Sequence, residues 1–206
     1  MSELASAMNG AAGAFRAVVR GVPTERLAAP TPRAHYDLRG LLNHLLYWAP
    51  RLSAAARRLP APPPDGGEEA ADLVTGEWRD RLAGAADKLA TALGSPRAWE
   101  GTTEMSAGGD DGRASRAGGA KAGGTRLPAS MVGSMVLCEL VVHGWDLAVA
   151  TGQPFRCPPE VAEAALVAVG GLAEQGRAYG VFGEPVEVGP AASALERTLG
   201  LTGRRP

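Results

Sequence analysis

Cysteine is nearly missing from this 206-residue chain, which has only Cys138 and Cys157. They form no C-x-x-C pair and no cysteine-rich zinc pattern, so a disulfide framework is excluded and both read as free thiols in a reducing compartment. Cys138 adjoins Glu139, but consecutive helical residues point about 100° apart, so it reads as core rather than as a ligand. Long apolar runs are missing too. No stretch approaches 18 uninterrupted apolar residues, and the opening MSELASAMNG has no basic region ahead of an apolar one. Neither a membrane span nor a leader is expected, and the chain reads as cytoplasmic. Nor is there an excess of one charge. The 21 basic residues, only two of them lysines, face 22 acidic ones for a net charge of −1. They form no patch of the kind that nucleic acid or an anionic membrane needs, so both are disfavoured as partners. No Ser-His-Asp order, G-x-G-x-x-G or G-x-x-x-x-G-K competes for the function, which weighs against triad hydrolases and nucleotide cofactors. What remains is a chain 45% hydrophobic, enough for one main domain with one sizeable core.

The stretch that organises the chain is PASMVGSMVLCELVVHGWDLAVATG, Pro128 to Gly152. It reads as a helix of about six turns, opened by a proline and closed by a glycine. Glu139, His143 and Asp146 fall within about 60° of one another on one face. A Glu and a His one turn apart can reach one divalent metal, and Asp146 is placed to orient His143 or a bound water. The plainer alternative is an amphipathic helix with polar residues toward solvent. Val141, Val142 and Leu147 favour the metal, because an unpaired charge among apolar neighbours is costly.

In chain order, Leu4, Met8, Ala11, Phe15, Val18 and Val22 recur at steps of three and four and predict a helix over 3–22. Prolines 23, 30 and 32 then mark an extended connection. A second helix starts near Asp37 and runs to about Arg58 on a stripe of Leu38, Leu41, Leu42, Leu45, Leu46 and Leu52. On its second face Asp37, His44 and Arg51 recur every seven residues, with Tyr47 and Trp48 beside His44. Pro50 is expected to kink it just past His44. Taken alone, His44 reads as a hydrogen-bonded interface histidine and Arg51 as a solvated surface group. A proline-rich linker over 60–68 leads to a third helix from Glu69 to Leu93, with Trp78 at the core or bundle edge. The stretch 106–124 has seven glycines in 19 residues and reads as a flexible insertion or a mobile cover over the site. Another helix spans Pro158 to Gly180, VFGEPVEV is extended, and a short terminal helix lies near Ala192 to Leu199. Four long amphipathic helices joined by unequal loops predict an all-α fold, an antiparallel bundle with a crossover connection.

Three segments carry a resemblance: LRGLLNHLL at 38–46, LPASMVGSMVLCELVVHGWDLAVATGQ at 127–153, and FGEPVEV through LGLTGRRP at the end. They resemble the actinobacterial metal-binding proteins of the DinB-like superfamily, nearest to the mycothiol-dependent maleylpyruvate isomerase type. The resemblance implies a single DinB-like four-helix bundle over 1–206 whose metal, usually zinc, is held by two His and one Glu. Position by position these are His44, Glu139 and His143. Similar proteins use such a metal to hold the thiolate of mycothiol or bacillithiol, which adds to an electrophile or isomerises a conjugated double bond. Three departures weigh against the maleylpyruvate reaction itself while leaving the metal site intact. The tail is short, Pro32-Arg33-Ala34-His35-Tyr36 stands where Cys-Pro-x-Trp is usual, and the Gly-rich loop is long.

Two His and one carboxylate leave zinc an open position, the arrangement of a catalytic site. The expected function is therefore a zinc-dependent enzyme, with nickel or iron as other metals. It would act as a monomer or homodimer on a small electrophilic or unsaturated metabolite, by isomerisation, cyclisation or thiol transfer. The alternative is a non-catalytic, metal-stabilised ligand-binding module. Supporting roles are expected for Asp146, fixing the His143 ring, and for Arg51, anchoring a substrate carboxylate. His35 and Tyr36 are candidates for proton transfer at neutral pH, His35 reading otherwise as surface drift.

Overall fold

The structure, a computed structural model, describes residues 2–60, 66–105 and 125–206. The expected cover at 106–124 and the middle of the proline-rich linker lie outside them. The expected all-α architecture is found. Helix α1 (Ser2–Arg20) buries Met8, Ala11, Phe15 and Val18, and ends two residues before its predicted limit. Helix α2 (Leu38–Ala56) opens on Asp37, whose carboxylate accepts from the Gly40 N–H at 2.7 Å. Such a cap is worth about 1 kcal/mol. Pro50 sits on the exposed side within α2, and the helix runs on through it. Helix α3 is Trp78–Leu93, not Glu69–Leu93. Gly76 has a φ of 55°, which ends any helix attempted from Glu69, and 69–77 is irregular.

A feature not foreseen is a two-stranded hairpin. Strand β1 (Thr102–Met105) pairs antiparallel with β2 (Thr125–Pro128), Thr102 opposite Pro128. The predicted six-turn helix comes next as one helical run in three parts. Helix α4 (Ala129–Cys138) passes into a π turn over Glu139–His143 and on into α5 (Gly144–Thr151), with Gly152 just beyond. In length and apolarity the run would suit a membrane span, but 72% of its most apolar window is buried within the protein, as in a core helix. Helix α6 (Pro159–Ala178) packs on α1 and α4, and α7 (Ala194–Leu201), held by a Ser193–Glu196 capping box, packs on α6. Helix α3 closes the bundle against α1 and α2. Each fully buried Leu or Phe of this core, such as Leu41, Leu42, Phe15 and Leu147, contributes about 1.5–3 kcal/mol.

Two glycines set where α4 and the C-terminal tail lie. A Cβ on Gly133 would lie 2.5 Å from the ring of Trp99, which is buried and donates its indole N–H to the Leu93 carbonyl at 2.8 Å. The bare α4 backbone therefore rests on the indole face. After α7, Gly203 turns the chain at a φ of 84° against Gly183 and sends Arg204 into the interior, where it is 3% exposed. The extended tail segment lies alongside, with Val186 N–H bonded to the Gly200 carbonyl at 2.9 Å.

Gly133→Ala forces the anchored Trp99 ring or α4 to move, so overpacking is expected to cost about 1–3 kcal/mol. Chemical denaturation measures it, and a variant as stable as the parent contradicts the close packing.

Candidate metal centre

Helix α2 carries His44 and the π turn carries Glu139 and His143 at its two ends, on facing sides of the bundle. A π turn inside an α-helix is rare and frequently marks a functional site. The two imidazole Nε2 atoms lie 3.5 Å (His44) and 3.7 Å (His143) from Glu139 Oε2. One ligand atom from each of the three residues falls within 4.8 Å of the others. A tetrahedral zinc with bonds near 2.0–2.1 Å holds its ligand atoms about 3.3 Å apart, so the cluster needs only a small contraction. Glu139 Oε2 is sealed from solvent and has no hydrogen-bond partner among the described residues. A cation between these atoms would satisfy it. The residues present fit a divalent metal.

Both rings are set for that role from behind. His143 Nδ1 is 2.9 Å from Asp146 Oδ2, and His44 Nδ1 is 3.1 Å from both oxygens of Glu68. A carboxylate at Nδ1 keeps the proton there and leaves the Nε2 lone pair for a metal. Glu68 is itself held by the Tyr36 hydroxyl and the Trp48 indole N–H, each at 2.9 Å. Asn43 clamps the segment by donating to the Glu68 carbonyl and accepting from the Leu73 N–H. Asp146 is fully buried and takes a two-pronged ion pair from Arg204, Nη2 at 2.7 Å and Nε at 3.2 Å.

The electrostatics reflect burial opposed by these partners. Burial favours neutral Glu139, but His143, His44 and Arg33 outweigh it and hold the carboxyl down at about 2. Burial likewise disfavours a charged His44, yet Glu139 and Glu68 overcome it and lift the imidazole to about 9. Glu68 and Asp146 are both lowered: burial opposes ionisation, and their histidine partners with Trp48, Tyr36 or Arg204 prevail.

A family model, mycothiol maleylpyruvate isomerase N-terminal domain, matches residues 9–148. The chain belongs to that family. No curated protein and no solved structure gives a match. The part matching the mycothiol maleylpyruvate isomerase N-terminal domain contains all three ligand candidates, Glu68 and Asp146, but not Arg204.

The other expected site residues fare unevenly. Asp146 stands where a ring-fixing group must. Tyr36 is at the site, but its hydroxyl faces His44 Nδ1 at 3.2 Å, on the ring edge away from Nε2, and is committed to Glu68. Burial and Glu68 also push its pKa up, so it braces the site rather than supplying protons to a substrate. His35 is exposed and makes no hydrogen bond or ion pair among the described residues, and it is not among the three converging ligand candidates. Arg51 is corrected. It is 5% exposed, its guanidinium stacks on the Tyr47 ring at 3.7 Å and bonds the Tyr47 carbonyl, so it is not presented to a substrate. Glu68 and Arg204 are additions that the sequence reading lacks. The only local hints are an acidic pair in a proline-rich linker and an arginine in the closing TGRRP.

Glu68→Gln and Asp146→Asn should each weaken metal affinity by about 10–100-fold, because each removes the charge that fixes an Nδ1 proton. Chelator competition measures this, and parental affinity in both variants refutes the bracing role. A second expectation concerns the protein in chelator. A histidine raised from 6.5 to about 9 stabilises the fold fully below pH 6.5 and loses that effect as pH climbs through about 9. The lowered carboxylates are ionised throughout that window and add no slope. Stability should therefore fall between pH 6.5 and 9, by at most about 3 kcal/mol, and the melting temperature with it, whereas His44→Gln should stay level to about pH 8 and then fall only slightly as the unfolded chain's thiols, Cys138 and Cys157, begin to ionise. A level profile in the parent contradicts the pairing.

Proposed function

We propose that this protein is a metal-dependent enzyme, with zinc as its metal, acting on a small electrophilic or unsaturated metabolite by isomerisation, cyclisation or transfer of a mycothiol-type thiol. One observation carries the reading: two imidazoles, each locked by a carboxylate at Nδ1, converge on a buried carboxylate oxygen that has no other partner among the described residues. The nitrogen and oxygen donors suit zinc, and nickel or iron would also accept them. Three protein ligands leave a position open, and a metal bound there would acidify a water or thiol and polarise a carbonyl.

The chain's own residues do the rest. With a metal bound, Glu68 and Asp146 would hold the ring protons on Nδ1 and leave both Nε2 atoms to the ion. Side-chain exposures of 16% for His44, 23% for Glu139 and 9% for His143 keep the three residues partly open to a reactant. Leu45, Trp48 and Leu140 line an apolar crevice beside Glu139 that disfavours bulk water. That crevice also supports a second reading, a metal-stabilised module without catalysis, because its volume of about 20 Å³ admits little more than one water.

Metal analysis and turnover separate the possibilities. The purified chain should carry one metal, lost when His44, Glu139 and His143 are all changed to Ala. Unchanged metal content in that variant ends the assignment. In cobalt-loaded protein, a visible-band shift on adding mycothiol, with thiol-dependent consumption of an α,β-unsaturated acid, supports the enzyme. Stoichiometric cobalt whose spectrum ignores thiol supports the module.

A further inference from the structure

We propose that Arg33 is the recognition residue for a carboxylate on the molecule that the triad acts on, an inference that rests on the enzymatic reading above. Arg33 lies in the turn between Pro30 and Asp37, which bridge one another and close the loop at the head of α2. The turn is pinned from within. The Thr31 hydroxyl donates to the Tyr36 carbonyl at 2.8 Å, and the Tyr36 N–H donates to the Arg33 carbonyl at 3.0 Å. The guanidinium sits 5.5 Å from the centre of the Tyr36 ring, whose hydroxyl touches His44. One terminal nitrogen bonds the Val181 carbonyl of the tail. The Nε–H is buried and has no partner, and Arg33 forms no ion pair among the described residues.

Charge balance makes this unmatched donor informative. A divalent cation at the triad is offset by Glu139 and Glu68, and Asp146 is offset by Arg204. Among the described residues the positive charge of Arg33, which otherwise helps to stabilise ionised Glu139, is then left over. It is half-buried, on the side of Tyr36 and His44, with a donor still unmatched. A planar fork of Nε–H and a terminal N–H is the group that binds a carboxylate through two parallel hydrogen bonds, and the sealed Nε–H would come within reach as the half-buried side chain turns. A neutral reactant would leave both the charge and the donor unanswered. The triad would then act on an unsaturated or electrophilic centre a few bonds from the carboxylate that Arg33 holds.

Crotonate and its neutral analogue crotonamide are the probes, titrated by calorimetry into metal-loaded wild type, Arg33→Gln and Arg33→Lys. Expected is crotonate binding at least about tenfold weaker in Arg33→Gln, as loss of a charge-assisted pair implies. Arg33→Lys should fall between, keeping the charge and losing the fork, with crotonamide affinity unchanged throughout. Equal crotonate affinity in wild type and Arg33→Gln, including no binding to either, ends the Arg33 assignment, as does a parallel loss of crotonamide. Metal content is measured in each protein. A wild-type chain that takes up no metal ends the enzymatic reading and this inference with it, whereas full metal with equal crotonate binding ends the Arg33 assignment alone.

Discussion

A carboxylate oxygen taken out of water without a hydrogen bond is among the most expensive groups a helical core can hold, costing several kcal/mol unless positive charge meets it. Among the described residues, Glu139 Oε2 is such an oxygen. The arrangement around it can be read outward as a sequence of requirements. The oxygen needs positive charge, from protonated His44 or from a metal ion, and His44 and His143 point their Nε2 atoms at it from two helical segments. Those rings need acceptors behind them, supplied by Glu68 and Asp146. Asp146, with no exposure of its own, needs Arg204. Burial and attraction oppose each other at Glu139, and its low pKa of about 2 says that attraction prevails.

How much of this is legible in the chain depends on whether the information is local. Glu139, His143 and Asp146 are separated by four and three residues, so helical geometry alone puts them together. The π turn has no such signature, and it changes the path between Glu139 and His143 without separating their side chains. His44 becomes a ligand candidate only through likeness to a family, because nothing on α2 says which helix it faces. Glu68 is out of reach. It occupies an irregular segment with no periodicity, and a tertiary clamp from Asn43 decides where it lies. The predicted third helix is too long because Leu73 continues its apolar spacing, although Gly76 is the available stop signal. The hairpin escapes because four-residue strands such as TTEM and TRLP fall below the length at which alternation is informative.

The bundle serves the site by holding its two ligand-bearing sides at a fixed separation. Asp37 starts α2 at a defined residue and so fixes the turn on which His44 projects. On the facing side, the close approach of Gly133 to Trp99 and the packing of α4 on α6 hold the run that leads into Glu139. Metal donors must meet within a few tenths of an ångström. That tolerance demands rigid packing, and each of these contacts removes a way for the two sides to slide.

The segment after residue 148 belongs to this arrangement although the family match stops before it. Arg204 is 58 residues from Asp146, yet its fork occupies both carboxylate oxygens. The consequence is one of proton position. A buried Asp without a countercharge would be drawn toward its neutral form, and a neutral carboxyl is itself a donor. Facing His143 Nδ1, it would give its proton to the ring or force the ring's own proton onto Nε2, the atom that must stay bare for a metal. By holding Asp146 ionised, Arg204 makes it an acceptor only, and this fixes the tautomer of His143. The tail thus acts on the metal-facing nitrogen through two intervening groups.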